Sequence, residues 1–433
     1  MKPIEAILIG AGHRGAEAYA SYGLRHPDEI RFVAVAEPRQ DRREAFAAAH
    51  GIAPQNCVAH WRELLARPRL ADCALVCTPD NCHLQPARAA LDKGYHLLCE
   101  KPLGKDAAEL TAFLDCVRGT DRVFMVCYVL RYSPFFLKLK QLLTEGRIGT
   151  LVAVQAMESV GYWHAAHSFV RGNWANTAAS SPMLLQKCSH DMDILRWLVQ
   201  SPCAAVSSFG GRRFFRAENA PPGAPDYCMD GCPHRETCPY EATRFYLTHP
   251  KAAADGFAAV VSLDSSPEAL LAALGRGPYG RCVFRCDNDV VDHQVVNLAY
   301  QNGVKASFTM SAFTMDCRRT ITLMGSHGEL CGDMEQGLIT LREFASGSTE
   351  TIRLHTPAQG HGGSDEAMMR SFVARVAGEA GAESPDDAYT ALESHLIALA
   401  AEQAREKDMV IKLEGTIPAA GRLRDEHPRY GAL

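Results

Sequence analysis

Residues 4–15 have the sequence IEAILIGAGHRG, and this stretch decides the fold. Six mostly apolar residues lead directly into a G-x-G-x-x-G pattern formed by Gly10, Gly12 and Gly15. Glycines in this spacing allow a tight turn and let backbone N–H groups approach a pyrophosphate at the N-terminus of the next helix. The pattern alone is weak, but a strand before it and a helix after it make it specific. The segment therefore predicts the first strand and the phosphate loop of a dinucleotide-binding domain.

The residues that follow alternate between short apolar runs and helical patterns. Such alternation is typical of βαβ units around a parallel sheet. The predicted strands are 4–9, 31–36, 74–77, 96–99 and 123–126. The predicted helices are 15–24, 40–50, 83–93 and 106–117. We therefore expect a Rossmann domain with a doubly wound parallel sheet over residues 1–126.

From residue 127 onward strands follow one another with few helices between them, which favours a mostly antiparallel sheet. After a helix at 134–145, the predicted strands are 150–157, 290–298, 304–310 and 320–323. Helices return at 365–377 and 385–406, followed by a strand at 409–413. The Pro-, Gly- and Cys-rich stretch 217–240 predicts an irregular insertion. We expect an α+β second domain at 127–414 and a C-terminal tail at 415–433.

Composition excludes several classes of protein. Of 433 residues 47% are hydrophobic and 22% charged, and 45 basic against 50 acidic residues give a net charge of −5. Such a balance predicts neither a nucleic-acid nor a membrane partner. The predicted strand at Ile4 leaves no room for a signal peptide, so we expect a cytoplasmic protein. Most of the 16 cysteines stand singly in apolar runs, where they act as small core hydrophobes.

An acidic residue at the end of the second strand indicates the cofactor. Glu37 follows the run 31–36, where a carboxylate can accept hydrogen bonds from the hydroxyls of an adenosine ribose. The same carboxylate would repel a 2′-phosphate, which favours NAD over NADP. Arg39, Arg42 and Arg43 lie nearby and keep NADP open.

Three further motifs follow strands of the predicted parallel sheet, at the edge where such folds bind ligands. They are Thr78-Pro79-Asp80-Asn81-Cys82-His83, Glu100-Lys101-Pro102 and Leu130-Arg131-Tyr132. In this order, and together with the glycine loop, they resemble the family of glucose–fructose oxidoreductase and inositol dehydrogenase (Gfo/Idh/MocA). The resemblance is strong over residues 4–150 and looser to about 410. It implies an NAD(P)-dependent oxidoreductase whose second domain is built on a large open sheet, with Lys101 reaching the nicotinamide ribose and the substrate.

The cofactor-binding residues that the loop pattern and the resemblance predict fall at the ends of these strands. They are Gly10, Gly12, His13, Arg14, Glu37, Thr78, Pro79, Asn81, His83, Glu100, Lys101 and Arg131.

A helix predicted at 181–199 supplies the second-domain part of the site. Its apolar stripe lies opposite a polar face that holds Gln186, His190 and Asp193, with Lys187 beside it. The resemblance matches His190 to the family's general acid/base, and an imidazole suits transfer of a hydroxyl proton near neutral pH. The known dehydrogenases carry Asp where this chain has Gln186, so we consider Lys187 as a replacement base. The alternative is a merely solvated helix face.

Aromatic and polar side chains between the second-domain sheet and this helix predict sugar binding. Two Trp, several His and an Arg in one loop can offer ring faces and hydrogen bonds to a sugar, and the alternative is a packed aromatic loop. A second candidate histidine, His293, lies in a stretch rich in polar residues. The alternative is that this stretch is the solvent-exposed edge strand of the sheet. The candidate substrate-binding residues are Tyr128, Tyr162, Trp163, His164, Arg171, Trp174, Gln186, Asp191 and His293.

Three cysteines cluster in the insertion. Cys228, Cys232 and Cys238 have C-x3-C and C-x5-C spacing. With His234 or a distant Cys they could hold a structural zinc in tetrahedral geometry. Unliganded thiols and an iron–sulfur cluster are the alternatives, and the predicted catalytic site itself needs no metal.

The function predicted is an NAD(H)-dependent oxidoreductase that acts on a ring hydroxyl of a sugar, cyclitol or glycoside. The catalytic residues would be Lys101, His190 and Lys187. The alternative is an NAD-dependent glycoside hydrolase of the same superfamily, which oxidises a ring hydroxyl transiently, eliminates the aglycone, adds water and reduces the ketone again. A third alternative is a non-enzymatic cofactor sensor on the same fold. Relatives associate through the open sheet face, so we expect a homodimer or homotetramer.

Overall fold

A computed structural model describes residues 2–118, 120–254, 256–355, 360–379 and 388–413. The predicted tail at 415–433 lies outside the described residues. Within them, no helix is long and apolar enough to cross a membrane.

The first sheet has six parallel strands in the order β3-β2-β1-β4-β5-β6. Its strands are β1 Ile4–Ile9, β2 Ile30–Ala36, β3 Cys57–Val58, β4 Cys73–Val76, β5 His96–Cys99 and β6 Phe124–Val126. The strand order reverses between β1 and β4, which opens a crevice at the carboxyl ends where doubly wound folds bind dinucleotides. The predicted Rossmann sheet is confirmed, and only the two-residue β3 was missed.

Helices cover both faces of this sheet. They are α1 Ser21–Arg25, α2 Gln40–His50, α3 Trp61–Ala66, α4 Leu84–Asp92 and α5 Ala107–Arg118, with 3₁₀ turns at Pro54–Asn56, Asp80–Cys82 and Val129–Tyr132. The helix that follows the glycine loop begins as a π-helical segment, His13–Ala20, before it continues as α1. π-Helical turns are rare and often mark functional sites.

The second sheet has nine strands in the order β14-β13-β12-β11-β7-β10-β9-β8-β15. Its strands are β7 Leu151–Val160, β8 Cys203–Gly211, β9 His293–Tyr300, β10 Lys305–Ser311, β11 Cys317–Gly325, β12 Gly328–Asp333, β13 Leu338–Glu343, β14 Thr349–Arg353 and β15 Ile411–Lys412. Every pair is antiparallel except β7 with β10. The predicted mostly antiparallel sheet is confirmed. The sequence analysis missed β8 and β12 to β14, which belong to the half-exposed part of the sheet.

One face of the second sheet carries the helices of the second domain. They are α6 Pro134–Thr144, α7 Tyr162–Ala165, α8 Met183–Gln186 and α9 Ser189–Val199, and a π-helical turn, Ala166–Arg171, extends α7. The largest hydrophobic core of the molecule lies between these helices and the sheet.

The insertion between β8 and β9 is longer and more helical than the predicted 217–240. After a 3₁₀ turn at Ala217–Asn219 and a series of turns it forms four helices and a further 3₁₀ turn, Pro278–Gly280. The helices are α10 Ala242–Thr248, α11 Pro250–Ala254, α12 Phe257–Val261 and α13 Pro267–Arg276. They enclose a small core of their own around Tyr246 and Leu274, into which Trp163 packs.

Two late helices, α14 Gly360–Val376 and α15 Ala388–Lys407, return to the first domain. Phe372 of α14 is fully buried in a core of the Rossmann domain. Residues Ala391 and Leu392 of α15 belong to the other Rossmann core, whereas Ile397 belongs to the second-domain core. One helix therefore packs into both domains.

Candidate active site

The three loop glycines have different structural roles. Gly10 has a φ of +94°, and a Cβ there would lie 2.5 Å from the carbonyl oxygen of Cys77. A Cβ on Gly15 would lie 2.2 Å from the carbonyl oxygen of Gly10. At Gly12 the nearest atom to an added Cβ is Nη1 of Arg42, at 3.6 Å. Gly10 and Gly15 are thus required by the fold, whereas the space beside Gly12 suits the close approach of a pyrophosphate.

Glu37 is buried beside this loop at the end of β2. Its Oε2 accepts a hydrogen bond from the backbone N–H of Ala11 at 2.8 Å, and its Oε1 accepts one from the N–H of Arg39 at 3.0 Å. The carboxylate is thereby fixed at the position where the ribose of a dinucleotide is bound in Rossmann folds.

Two of the three neighbouring arginines are engaged within α2 and its N-terminus. Arg39 forms a salt bridge with Asp41 at 2.5 Å, and Nη1 of Arg43 donates to the carbonyl oxygen of Glu37 at 2.6 Å. Arg42 lies over Gly12 instead. A guanidinium at that point suits a pyrophosphate better than a ribose 2′-phosphate, because it faces the glycine loop.

Arg14 and Glu100 form an ion pair under the loop. Nε of Arg14 lies 2.9 Å from Oε1 of Glu100, and Nη2 lies 2.8 Å from Oδ1 of Asp365 on α14. Tyr19 donates to the same oxygen of Glu100 at 2.6 Å. Although burial raises the pKa of Glu100, Arg14 and Lys101 outweigh it and hold that pKa below its ordinary value. The side chains of Arg14 and Glu100 thus brace the loop from beneath.

The loop after β4 contacts the second domain directly. Asp80 is buried, and its Oδ2 accepts a hydrogen bond from the hydroxyl of Ser181 at 2.9 Å. His83 is also buried, with Nδ1 at 2.8 Å from Oγ1 of Thr78, and burial lowers the pKa of its imidazole. Pro79 and Asn81 are exposed at the mouth of the crevice.

His13 is exposed at the opposite side of this crevice, with Nε2 3.5 Å from a carboxylate oxygen of Glu17.

Lys101 joins the two domains. Its Nζ donates to the backbone carbonyl oxygen of Gln186 at 2.6 Å, across 85 residues of sequence. Burial lowers the pKa of Lys101, and the cations Arg14 and Lys187 add to this effect against the opposing carboxylates Glu100 and Asp80. An ammonium held in this way is a good hydrogen-bond donor and gives up its proton more readily than an ordinary lysine.

The predicted helix at 181–199 is broken where Lys101 meets it. It consists of α8 and α9 with Lys187 and Cys188 between them, so the single helical face does not persist. The polar residues are not solvated: Gln186 and His190 are both buried, and the ring of His190 packs edge-on against that of Tyr128 at 5.7 Å. Neither side chain therefore lies on a solvated helix face.

Lys187 leads into a buried network of charges. Its Nζ lies 3.4 Å from Oε1 of Glu158 on β7, and the other carboxylate oxygen lies 2.9 Å from Nε of Arg319 on β11. Arg319 also pairs with Asp191 at 2.9 Å. Burial raises the pKa of Glu158 even beside these cations. Lys187 is therefore held between the sheet and Lys101 rather than exposed in the crevice.

Comparison with known proteins agrees with this architecture. A family described as "Oxidoreductase family, NAD-binding Rossmann fold" matches residues 4–128, and its "C-terminal alpha/beta domain" matches residues 140–413. The chain belongs to the Gfo/Idh/MocA family. The match to both family domains confirms the resemblance inferred from the glycine loop and the Glu-Lys-Pro motif.

Among curated relatives, an inositol 2-dehydrogenase of Streptomyces avermitilis is 29% identical over 206 residues, covering 46% of this chain and 54% of that protein. A levoglucosan dehydrogenase of Pseudarthrobacter phenanthrenivorans is 28% identical over 155 residues, covering 36% of this chain and 40% of that protein. The chain thus spans about half the length of the curated relatives that it matches. A solved levoglucosan dehydrogenase complex with NADH and L-sorbose has a TM-score of 0.70 at 18% identity, covering 95% of this chain and 99% of that chain.

Two predicted site residues are completely buried where the two domains meet. Arg131 is completely buried, and its guanidinium forms a bidentate pair with Asp193, with an Nε–Oδ2 distance of 2.7 Å. Tyr128 is also completely buried, with its hydroxyl 2.9 Å from Nδ1 of His395. Arg131 is engaged by Asp193, and the ring of Tyr128 lies beside that of His190, so their roles as cofactor and substrate ligands stay predictions.

Most side chains of the aromatic loop pack against other parts of the protein, as expected for the alternative of a packed loop. Trp163 is buried in the core of the insertion, and its Nε1 donates to the carbonyl oxygen of Met315. Arg171 is buried and donates to the carbonyl oxygens of Arg281 and Tyr240 at 2.7 Å each. We therefore do not retain Trp163 and Arg171 as sugar ligands.

The other members of the loop are partly buried. Tyr162 packs edge-on against Tyr240 at 5.9 Å, and Trp174 packs against Phe169 at 5.9 Å. His164 stacks on Phe169 at 6.0 Å, with Nδ1 3.5 Å from the sulfur of Cys317.

His293 and Asp191 are also placed away from a common pocket. In the pairing of β9 with β10, His293 lies opposite Ser311. The next residue, Gln294, lies opposite Met310. Because side chains alternate along a strand, the buried Gln294 faces the helices and His293 faces the open side of the sheet. Asp191 faces the helical side but is occupied by Arg319. His293 in turn has Nδ1 2.8 Å from Oδ1 of Asp292.

Several residues of the site region were missed by the sequence analysis. Glu158 and Arg319 are charged residues at buried positions of β7 and β11, which is a usable signal only once the strand register is known. Ser181, Asp365 and His395 gave no local signal, because each has its partner more than 100 residues away.

Proposed function

We propose that this family member is an NAD(H)-dependent oxidoreductase of a ring hydroxyl of a sugar or cyclitol. The observation that carries the proposal is the contact between Lys101 and the carbonyl oxygen of Gln186. It brings the Glu-Lys-Pro turn at the edge of the Rossmann sheet against the helix break that holds Lys187 and precedes His190. The names of the curated relatives, inositol and levoglucosan dehydrogenases, suggest the same class of substrate.

The residues present fit an NAD molecule. The glycine loop leaves room at Gly12, and Arg42 adds a positive charge beside it. Glu37 offers a fixed carboxylate for the ribose hydroxyls, which supports NAD over NADP. When bound, the nicotinamide would accept or return the hydride, and the protein would supply position and electrostatics.

Lys101 and His190 have complementary roles in this proposal. Lys101 donates a hydrogen bond to the reacting oxygen and stabilises negative charge there when the hydroxyl loses its proton. His190 accepts that proton, since an imidazole exchanges protons efficiently near neutral pH. Burial of both side chains strengthens these interactions, because little water competes for them.

Gln186 stands where the known dehydrogenases have an aspartate, and this difference changes which groups position Lys101. A glutamine cannot accept a proton, but its backbone carbonyl already positions Lys101. Lys187 supplies a second cation, which its contact with Glu158 anchors. We propose that Lys187 is an electrostatic and positioning residue rather than the principal base.

Turnover with a limited, known amount of NAD⁺ tests the proposal. The purified protein is incubated with myo-inositol, levoglucosan, free sugars and aryl glycosides, while NADH absorbance and aglycone release are followed together. We expect NADH to form in step with the oxidation of at least one polyol or sugar, without release of an aglycone. Aglycone released in large excess over NAD⁺, with no accumulation of NADH, would instead establish the glycoside hydrolase.

Matched variants test the assigned residues. Lys101→Met and His190→Asn should each lower kcat by about 10²–10⁴-fold while NAD binding persists. Lys105→Met and His355→Asn change exposed side chains of the same types and should keep normal turnover. Equal activity of the Lys101 and Lys105 variants would remove Lys101 from the mechanism.

Association of two or more copies is a separate proposal. Phe209 of β8 is 62% exposed and Val295 of β9 is 38% exposed, and the two are direct cross-strand neighbours on the open face of the second sheet. An exposed apolar row on a sheet often marks an interface. We expect a homo-oligomer by light scattering, and Phe209→Glu should shift it toward the monomer.

A further inference from the structure

The cysteine cluster predicted from the insertion gains a fourth member in the structure. Cys228, Cys232 and Cys238 line one small cavity together with Cys282, which lies 44 residues beyond Cys238. The backbones around Cys228 and Cys282 pair with each other, because the N–H of Cys228 donates to Gly280 at 3.0 Å and the N–H of Cys282 donates to Asp226 at 2.8 Å. The distant cysteine is therefore brought to the cavity by main-chain hydrogen bonds and not by chance proximity.

A buried positive charge faces the same cavity. Arg171 is 5% exposed and lines the cavity, with Nη2 3.7 Å from the sulfur of Cys228. Its hydrogen bonds go to two backbone carbonyl oxygens, and among the described residues no carboxylate forms a salt bridge with it. Buried charges are ordinarily paired. The buried carboxylate of Glu241 also lines the cavity, but it accepts hydrogen bonds from the backbone N–H groups of Thr243 and Arg244 at the start of α10. Cysteine thiolates would supply negative charge directly beside Arg171.

We propose that Cys228, Cys232, Cys238 and Cys282 bind one structural zinc ion. Four thiolates are a common tetrahedral ligand set for Zn²⁺, and their net negative charge with the ion would be balanced in part by Arg171. Binding exchanges four thiol protons for one Zn²⁺ ion and involves no redox change.

The size of the cavity and the position of His234 favour this set over the alternatives. The cavity has a volume of about 20 Å³, enough for one particle of the size of a water molecule. Nε2 of His234 lies 2.8 Å from the carbonyl oxygen of Pro222, so this histidine is already engaged. Within the described part of the chain no group of three or more His, Cys, Asp or Glu side chains lies close enough together to hold a metal ion, so binding of zinc would require the four cysteine side chains to turn toward it.

Such an ion would stabilise the insertion next to the π-helical turn that extends α7. Cys282 is three residues from Tyr279, whose ring stacks on His167 of that turn at 4.9 Å. The ion would thus tie together the turns that hold this contact.

Metal analysis of the purified full-length protein tests the proposal. We expect about one zinc per chain, falling at least tenfold in Cys282→Ser and Cys238→Ser. Cys286→Ser is the matched control, because Cys286 lies four residues from Cys282 but does not line the cavity. Replacement of zinc by Co²⁺ should give thiolate-to-cobalt charge-transfer absorption, and a chelator should expose four additional thiols to alkylation in the wild-type protein.

Four results would overturn the proposal. One is a wild-type protein that, after equilibration with Zn²⁺, retains no zinc and shows no protected thiols. The second is stoichiometric iron with acid-labile sulfide, and the third is disulfide bonds among the four cysteines. The fourth is an equal loss of zinc in Cys286→Ser. The wild-type measurements do not depend on the folding of any variant.

Discussion

Gly12 differs from Gly10 and Gly15 because a Cβ at this position would have room. Gly12→Ala should therefore leave the fold intact and weaken NAD binding by about tenfold or more, equivalent to about 1.4 kcal/mol, since a methyl group would occupy the approach of the pyrophosphate. Gly15→Ala, whose Cβ would lie 2.2 Å from a backbone oxygen, should instead destabilise the protein. Thermal unfolding and titration of NADH fluorescence separate the two effects. Unchanged NADH affinity in Gly12→Ala would contradict the proposed binding mode.

The choice between NAD and NADP is set by a few side chains around Glu37. Glu37→Ser removes the carboxylate that would repel a 2′-phosphate, and we expect the preference to move about tenfold toward NADP. Asp41→Ala alone should change the cofactor preference little. Combined with Glu37→Ser, it frees Arg39 from its salt bridge and should move the preference further toward NADP. Dissociation constants for both cofactors provide the measurement. A double variant that still excludes NADP would show that another part of the site decides specificity.

At the residue scale, the sequence was informative where a role depends on local chain geometry. The glycines and Glu37 lie where their motif predicts them, because a strand–turn–helix unit determines their positions. Arg131 and Arg171 are both buried, which the sequence does not reveal, because an exposed and a buried arginine look alike in a sequence. Only their distant partners, Asp193 and the carbonyl oxygens of the insertion, distinguish the two cases.

At the scale of elements, apolar runs predicted the Rossmann strands to within about one residue because both faces of that sheet are buried. The second sheet has one open face, so its outer strands β12 to β14 carry many polar residues and gave a weaker signal. The helices of the insertion are short, with 5 to 10 residues, and depend on packing into their own small core. The periodicity of so short a segment cannot predict them.

The junction of α9 with the turn after β6 depends on one buried ion pair. Asp193→Asn leaves Arg131 completely buried with half of its bidentate contact weakened, and we expect a loss of about 3–5 kcal/mol in the free energy of unfolding. Asp115→Asn, in the exposed pair with Arg118, should cost about 1 kcal/mol or less. Chemical denaturation measures both variants. The double variant Arg131→Met with Asp193→Leu should recover much of the loss, and a similar small effect of Asp193→Asn would contradict the interpretation.

At the scale of the whole molecule, the C-terminal helices hold the two domains together. Asp365 of α14 pairs with Arg14 beneath the glycine loop, and Glu393 of α15 pairs with Arg196 at the end of α9. The predicted return of two helices near the C-terminus is present in the structure. What the sequence analysis did not predict is that α15 packs into the cores of both domains, because periodicity reveals a buried face but not its partner.

His395 of α15 makes this junction sensitive to acid. Its Nε2 accepts a hydrogen bond from the N–H of Leu103 at 2.9 Å, and its Nδ1–H donates one to the carbonyl oxygen of Ala391 at 2.7 Å, an arrangement that a neutral ring satisfies. Burial lowers the pKa of His395 from 6.5 to about 4. Between these values the unfolded chain binds one more proton than the folded chain, so the stability contributed by this residue is complete above pH 6.5 and falls as the pH drops toward 4.

The full effect of His395 is about 3 kcal/mol, from the difference of its two pKa values. His50, which is partly buried and whose pKa burial lowers to about 4, should add to the same slope. His395→Gln should be less stable at pH 7, because it loses hydrogen bonds, but its unfolding free energy should vary less steeply with pH, by up to about 1.4 kcal/mol per unit between 6.5 and 4. The exposed His355→Gln should keep the wild-type slope. Urea unfolding across this pH range measures all three proteins, and an unchanged slope in His395→Gln would show that protonation of this residue does not open the junction between the domains.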